Sequence, residues 1–64
     1  GRNEEAIKVL KDALEIDSKY AEAYRLIGVA QLQLKQNKEA CASFAKAKEL
    51  GDPNVDALIE KHCK

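Results

Sequence analysis

Residues 5–16 read EAIKVLKDALEI and residues 39–50 read EACASFAKAKEL, so the second stretch repeats the first at an offset of 34 residues. Small and bulky apolar residues keep the same order in both. Identical pairs at this offset are Glu5 and Glu39, Ala6 and Ala40, Ala13 and Ala47, and Glu15 and Glu49, while the large apolar residues Leu10 and Ile16 match Phe44 and Leu50. A period of this length is typical of repeat architectures, in which each short unit buries its apolar face against the next.

The composition limits the size of the domain and the classes of partner. The chain has 64 residues, enough for one small domain. It carries 11 basic and 11 acidic side chains and no formal net charge. This balance argues against nucleic acid as a partner, because phosphate binding needs clustered Lys and Arg. It also gives no support to an anionic membrane surface.

The sequence contains no segment typical of membrane insertion or export. No apolar run approaches the roughly 20 residues that cross a bilayer, so we expect no membrane insertion. Residues 1–20 alternate charged and apolar groups and lack the apolar centre of a signal peptide. These features do not assign the chain to a cellular compartment.

Apolar periodicity predicts an all-α protein of about four helices and no strands. The first helix carries Ala6, Ile7, Leu10, Ala13 and Leu14 at the spacing of an amphipathic stripe. The second is apolar over a wider arc, which indicates packing between two neighbours. The predicted helices cover residues 4–16, 20–35, 38–50 and 53–63.

Turn residues and one glycine punctuate these helices. Asn3 and Asn37 are the predicted caps of the first and third helices. Gly51-Asp52-Pro53 is the clearest break: Gly suits the left-handed position after a helix, Asp can cap the next helix, and Pro fits its first turn. Gly28 costs about 1 kcal/mol inside a helix. We expect close approach of a neighbouring helix at Gly28, with Ala40 as its partner.

These residues resemble the tetratricopeptide repeat family. Its pattern has an aromatic, then Leu-Gly, then a Tyr in the first helix of each unit, and Ala and Phe in the second. The matching positions are Tyr24, Ile27-Gly28, Ala40, Phe44, Ala47 and Leu50. The chain departs from the pattern at Gln31, which takes the Tyr position, and at Lys35, where a linker Gly is frequent.

The resemblance implies a division of the chain into three parts. Residues 21–54 are then one complete unit, and residues 1–20 end a preceding unit. Residues 55–64 then form a terminal capping helix, and the fold is a set of antiparallel helix pairs stacked as an α-solenoid.

The resemblance also implies a non-catalytic module that binds a protein or peptide in a concave groove. First helices of the units line that groove in the family. The residues carried over, called the groove face below, are Glu22, Arg25, Val29, Leu32, Gln33 and Ile59. Simpler roles compete: Val29 and Leu32 also suit helix packing, and Glu22 and Arg25 suit a solvated ion pair. Some family members bind the C-terminal carboxylate of a chaperone tail with an Asn at the position that Val29 occupies here. Because valine cannot donate that hydrogen bond, we do not predict binding of chaperone tails.

A second interaction surface is predicted on the first helix. In the family this helix pairs with a first helix of its own unit. We expect that partner helix to be missing here, which leaves Ile7, Leu10 and Leu14 uncovered. Exposed apolar patches normally mark interfaces. Pairing of two copies through this face, giving a homodimer, is therefore a further expectation.

Catalytic, metal and cofactor sites find little support in the residues. His62 is the single histidine, and with Cys41 and Cys63 it falls short of the four ligands of a structural zinc site. We therefore predict no catalytic residues, no metal and no cofactor. The two cysteines leave two interpretations: a Cys41–Cys63 disulfide, or free thiols acting as small apolar core residues, the interpretation we favour from sequence.

Three functional hypotheses follow from these patterns. The first is a protein-interaction module or scaffold. The second is a structural cap or self-association element within a larger repeat protein. The third is an accessory domain of an enzyme whose catalytic part lies upstream. Fold alone does not decide among them.

Overall fold

The computed structural model describes residues 2–63 and shows four helices in that range. They are α1 (Arg2–Ile16), α2 (Ala21–Gln33), α3 (Asn37–Glu49) and α4 (Val55–His62). Helices adjacent in sequence pack on each other, α1 on α2, α2 on α3 and α3 on α4. Because short turns join them, neighbours run antiparallel. The predicted all-α fold of helix pairs is confirmed.

The helix ends differ from the predicted ones by up to two residues. α1 begins at Arg2, so Asn3 lies inside the helix and is not its cap. α3 begins at Asn37 itself, and Gln36 occupies the cap position without a side-chain bond. The backbone decides this start, since the Ala40 N–H donates to the Gln36 carbonyl at 2.9 Å. α4 begins at Val55, after Pro53, so the predicted place of Pro53 in the first helical turn is wrong.

Two turns end their helices by the same hydrogen-bond pattern. After α3, Gly51 has φ +96°, its N–H donates to the Lys48 carbonyl, and the Asp52 N–H donates to the Ala47 carbonyl. This is the Schellman arrangement, and it confirms the left-handed position predicted for Gly51. After α2, Lys35 takes the same place with φ 62°. A lysine therefore holds a conformation that costs a non-glycine residue about 1–2 kcal/mol.

The core lies between α2, α3 and the start of α4. Ala40, Phe44, Ala47 and Val55 are 0% exposed. Phe44 lies against Gly28, where an added Cβ would be 2.6 Å from the ring carbon Cδ1. The predicted close approach at Gly28 is confirmed, and the three atoms nearest to such a Cβ belong to Phe44 rather than to Ala40. The aromatic ring of Phe44 takes the space that the missing side chain of Gly28 leaves.

Cys41 and Cys63 are joined in a disulfide, so the free-thiol interpretation is wrong. Their Cα atoms lie 5.7 Å apart, well within the span that a disulfide bridges. Sequence could not show this, because the distance depends on how the end of α4 lies against the first turn of α3. With eight residues, α4 is too short to be a stable helix in isolation. The bond therefore ties a marginal helix to the core.

Candidate functional site: two faces of helix α2

Helix α2 is the central element, since it packs on both α1 and α3. Its groove-face residues and its residues Tyr24, Ile27 and Gln31 lie roughly 160° apart around the axis, at about 100° per residue. The helix thus presents two opposite sides. Arg25 of the groove face contacts the turn between α3 and α4, and the other side lines a cleft together with residues of α1 and α3.

Arg25 is held by two carboxylates on the groove face. Its Nε donates to Oδ2 of Asp52 at 2.7 Å, and its Nη2 lies 3.4 Å from Oε2 of Glu22. The Asp52 side chain is only 4% exposed, and its second oxygen accepts the Asn54 N–H at 2.8 Å. Such charge-assisted bonds are short and strong. Arg25 therefore anchors the α3–α4 turn to α2.

The contact between Arg25 and Asp52 was not predicted from the sequence. The predicted Glu22–Arg25 pair exists, but Asp52, 27 residues from Arg25, is the shorter contact. The motif Gly51-Asp52-Pro53 showed only that Asp52 belongs to a turn. The Asp52 carboxylate accepts the backbone N–H of Asn54, which still belongs to the turn. It does not cap the first turn of α4, because α4 begins at Val55.

The apolar residues of the groove face contribute to the core and remain partly exposed. Val29, Leu32 and Ile59 are partly buried and pack against the core cluster of Ala40, Phe44, Ala47 and Val55. Glu22 and Gln33 are exposed. Apolar residues of α2 and α4 thus contact the same core cluster.

Helix α1 presents a looser surface. Ile7, Leu10 and Leu14 are half-buried, and no residue of α1 is fully buried. The most exposed large apolar side chains of this helix are Val9, at 65%, and Ile16, at 91%. Val9 and Leu10 border a shallow depression with Ala6. At about 100° per residue, Val9 and Ile16 lie on the side of α1 opposite Ile7 and Leu14, so apolar residues occupy two sides of this helix.

The cleft on the other side of α2 has a volume of about 420 Å³. Leu14 of α1, Tyr24 and Ile27 of α2, and Ala42 of α3 supply its apolar lining. Gln31 and Ser43 add polar groups, and the Ser43 hydroxyl donates to Oε1 of Gln31 at 2.7 Å. The sequence showed Gln31 as a departure from the repeat pattern but did not show the cleft.

The residues considered for chemistry lie in α3 and at the end of α4. His62 is exposed in the last turn of α4. The nucleophilic and metal-binding form of cysteine is the thiolate, and Cys41 and Cys63 are instead bonded to each other. No helix in the described part of the chain is long and apolar enough to cross a membrane.

Antiparallel helix pairs stacked in sequence order, with a shared apolar core, define the chain as a helical repeat protein. Residues 1–35 match the family model described as TPR repeat, and residues 21–50 match the model described as tetratricopeptide repeat. The chain belongs to the tetratricopeptide repeat family. Members of this family generally mediate protein–protein interactions and are typically non-catalytic. No curated protein and no solved structure matches the chain.

Proposed function

We propose that this chain is a protein-interaction module that holds an extended peptide on the groove face. The observation that supports the proposal is that Val29 and Leu32 of α2 and Ile59 of α4 are partly exposed and pack against the same core cluster. Apolar strips with a few placed polar groups are typical of peptide-binding grooves. In this proposal residues 21–54 form the complete unit, and residues 55–64 cap it.

The charges of the groove face favour a particular class of peptide. Asp52 and Glu22 together neutralise the positive charge of Arg25, which disfavours a ligand carboxylate at this position. Glu22 is exposed and supplies a net acidic edge. The fitting ligand is therefore an apolar peptide segment with a basic residue beside it. The even charge of the whole chain agrees with a protein ligand rather than nucleic acid.

Random peptides displayed on phage, selected on the oxidised protein, test this proposal. A selected peptide titrated into isotopically labelled protein should shift the amide signals of α2 and α4 on the groove face. Glu22→Lys should weaken binding about two- to fivefold, the usual size of an exposed charge pair. The matched control is Glu15→Lys on α1, which should leave affinity unchanged. Shifts confined to other surfaces, or equal effects of both variants, contradict the proposal.

We infer a second candidate function, self-association through α1, from the exposure of Val9 and Ile16. These two side chains lie on the side of α1 away from Ile7 and Leu14, and no other part of residues 2–63 buries them. Sedimentation equilibrium at high protein concentration should then show dimers, and Val9→Lys should reduce them. A monomer at every concentration overturns this candidate while leaving the groove proposal intact.

A further inference from the structure

The cleft between α1 and α3 contains a deeply placed polar group with unused hydrogen-bonding capacity. Gln31 is 9% exposed, and its Oε1 accepts the Ser43 hydroxyl proton. Within residues 2–63 its amide nitrogen Nε2 has no hydrogen-bond partner, and it is not sealed from solvent. Because solvent reaches Nε2, a ligand that fills the cleft and excludes water must supply an acceptor in its place, or the donor is left unsatisfied.

The surroundings of Nε2 restrict what can reach it. Leu14, Tyr24, Ile27 and Ala42 make the lining apolar, so the group that enters must have an apolar body. Lys11 on α1 and Glu39 on α3 border the cleft on opposite walls and balance in charge, which favours a neutral occupant. Because Gln31 lies deep, the acceptor must stand at the tip of a long side chain, beyond the reach of a backbone carbonyl.

We propose that this cleft is a binding site for a tyrosine side chain presented by a protein partner. A tyrosine has a flat apolar body and a hydroxyl at its tip. The ring packs on the apolar lining, and the hydroxyl oxygen accepts the free N–H of Gln31. The site lies on the side of α2 opposite the groove face, so it is a second contact surface that does not depend on the proposed function.

The side-chain NH₂ signals of Gln31 in labelled protein provide a direct test. N-acetyl-tyrosinamide should shift these signals saturably, together with the backbone amide of Ser43. N-acetyl-phenylalaninamide, which differs by the hydroxyl alone, should bind about three- to tenfold more weakly, the usual range for one hydrogen bond. Shifts in the groove face but not in the cleft would support only the peptide groove.

Two matched variants separate the hydrogen bond from general packing. Gln31→Leu keeps the size of the side chain and removes the donor, so the two ligands should bind equally. Gln33→Leu makes the same change on the opposite side of α2 and should leave the preference for tyrosine intact. Equal affinity of the two ligands for the unaltered protein overturns the proposal, as does the absence of a saturable shift at Gln31; neither result depends on the folding of a variant.

Discussion

Helices α1 and α3 carry matching residues and differ in burial. In α3, Ala40, Phe44 and Ala47 are 0% exposed. Their counterparts 34 residues earlier, Ala6, Leu10 and Ala13, are only half-buried. The difference comes from neighbouring helices: α3 packs against both α2 and α4, whereas within residues 2–63 α1 packs extensively only against α2.

The comparison shows how a repeat protein distributes its stability. Stability in such folds is approximately a sum of unit terms and nearest-neighbour interfaces. A helix with two covered sides therefore contributes more than an equivalent helix with one. Two further stabilising contacts involve α3 or the turn after it. The disulfide joins Cys41 of α3 to Cys63, the residue after α4. Arg25 of α2 bonds to Asp52 in the turn that follows α3.

The largest expected loss of stability comes from truncating the buried aromatic side chain of α3. Phe44→Ala removes a fully buried ring and should cost about 3–5 kcal/mol, enough to unfold much of a domain this small. Leu10→Ala at the matching position of α1 should cost less than about 2 kcal/mol, because the side chain is already half-exposed. Urea unfolding followed by far-UV circular dichroism measures both. Equal losses would show that the two helices contribute alike.

Cleavage of the Cys41–Cys63 bond should have the next largest effect. The two residues are 22 apart in sequence, and a loop of this length stabilises by about 3 kcal/mol through the unfolded chain. Reduction should lower Tm by about 10–20 °C. Hydrogen exchange should accelerate in α4 before it does in α3, since α4 loses its covalent tie.

A double variant provides the control for the disulfide. Cys41→Ser with Cys63→Ser should unfold near the Tm of the reduced protein and should not respond to a thiol reductant. Unchanged Tm on complete reduction would contradict the role assigned to the bond. A uniform rise of exchange across all helices would instead show that α4 and the core open together.

The smallest expected change in stability concerns the left-handed residues that follow α2 and α3, Lys35 and Gly51. Lys35→Gly should stabilise the protein by up to about 1 kcal/mol, because glycine adopts positive φ without the steric cost, partly offset by its freer unfolded chain. The reverse change, Gly51→Lys, should destabilise by about 1 kcal/mol through conformation alone, since an added Cβ at Gly51 has no neighbour within 4 Å. Urea midpoints compare the two. Loss of stability in Lys35→Gly would contradict this account.

Local patterns predicted most of the fold and little of the candidate sites. Apolar spacing identified the four helices, and Gly51 identified the helix end, because both depend on neighbouring residues only. The caps at Asn3 and Asn37 were wrong, since helix starts shift by one or two residues with the backbone of the preceding turn. The Arg25–Asp52 contact and the open amide of Gln31 had no local signal.

The sequence by itself determined the helices, the 34-residue period and the family, since these follow from the order of small, bulky and polar residues along the chain. Only the tertiary structure decided which of two matching helices is buried, that Cys41 and Cys63 are bonded, and that Phe44 fills the space at Gly28. The physical reason is distance. Period and propensity act over a few residues, whereas burial, pairing and clefts depend on where whole helices meet.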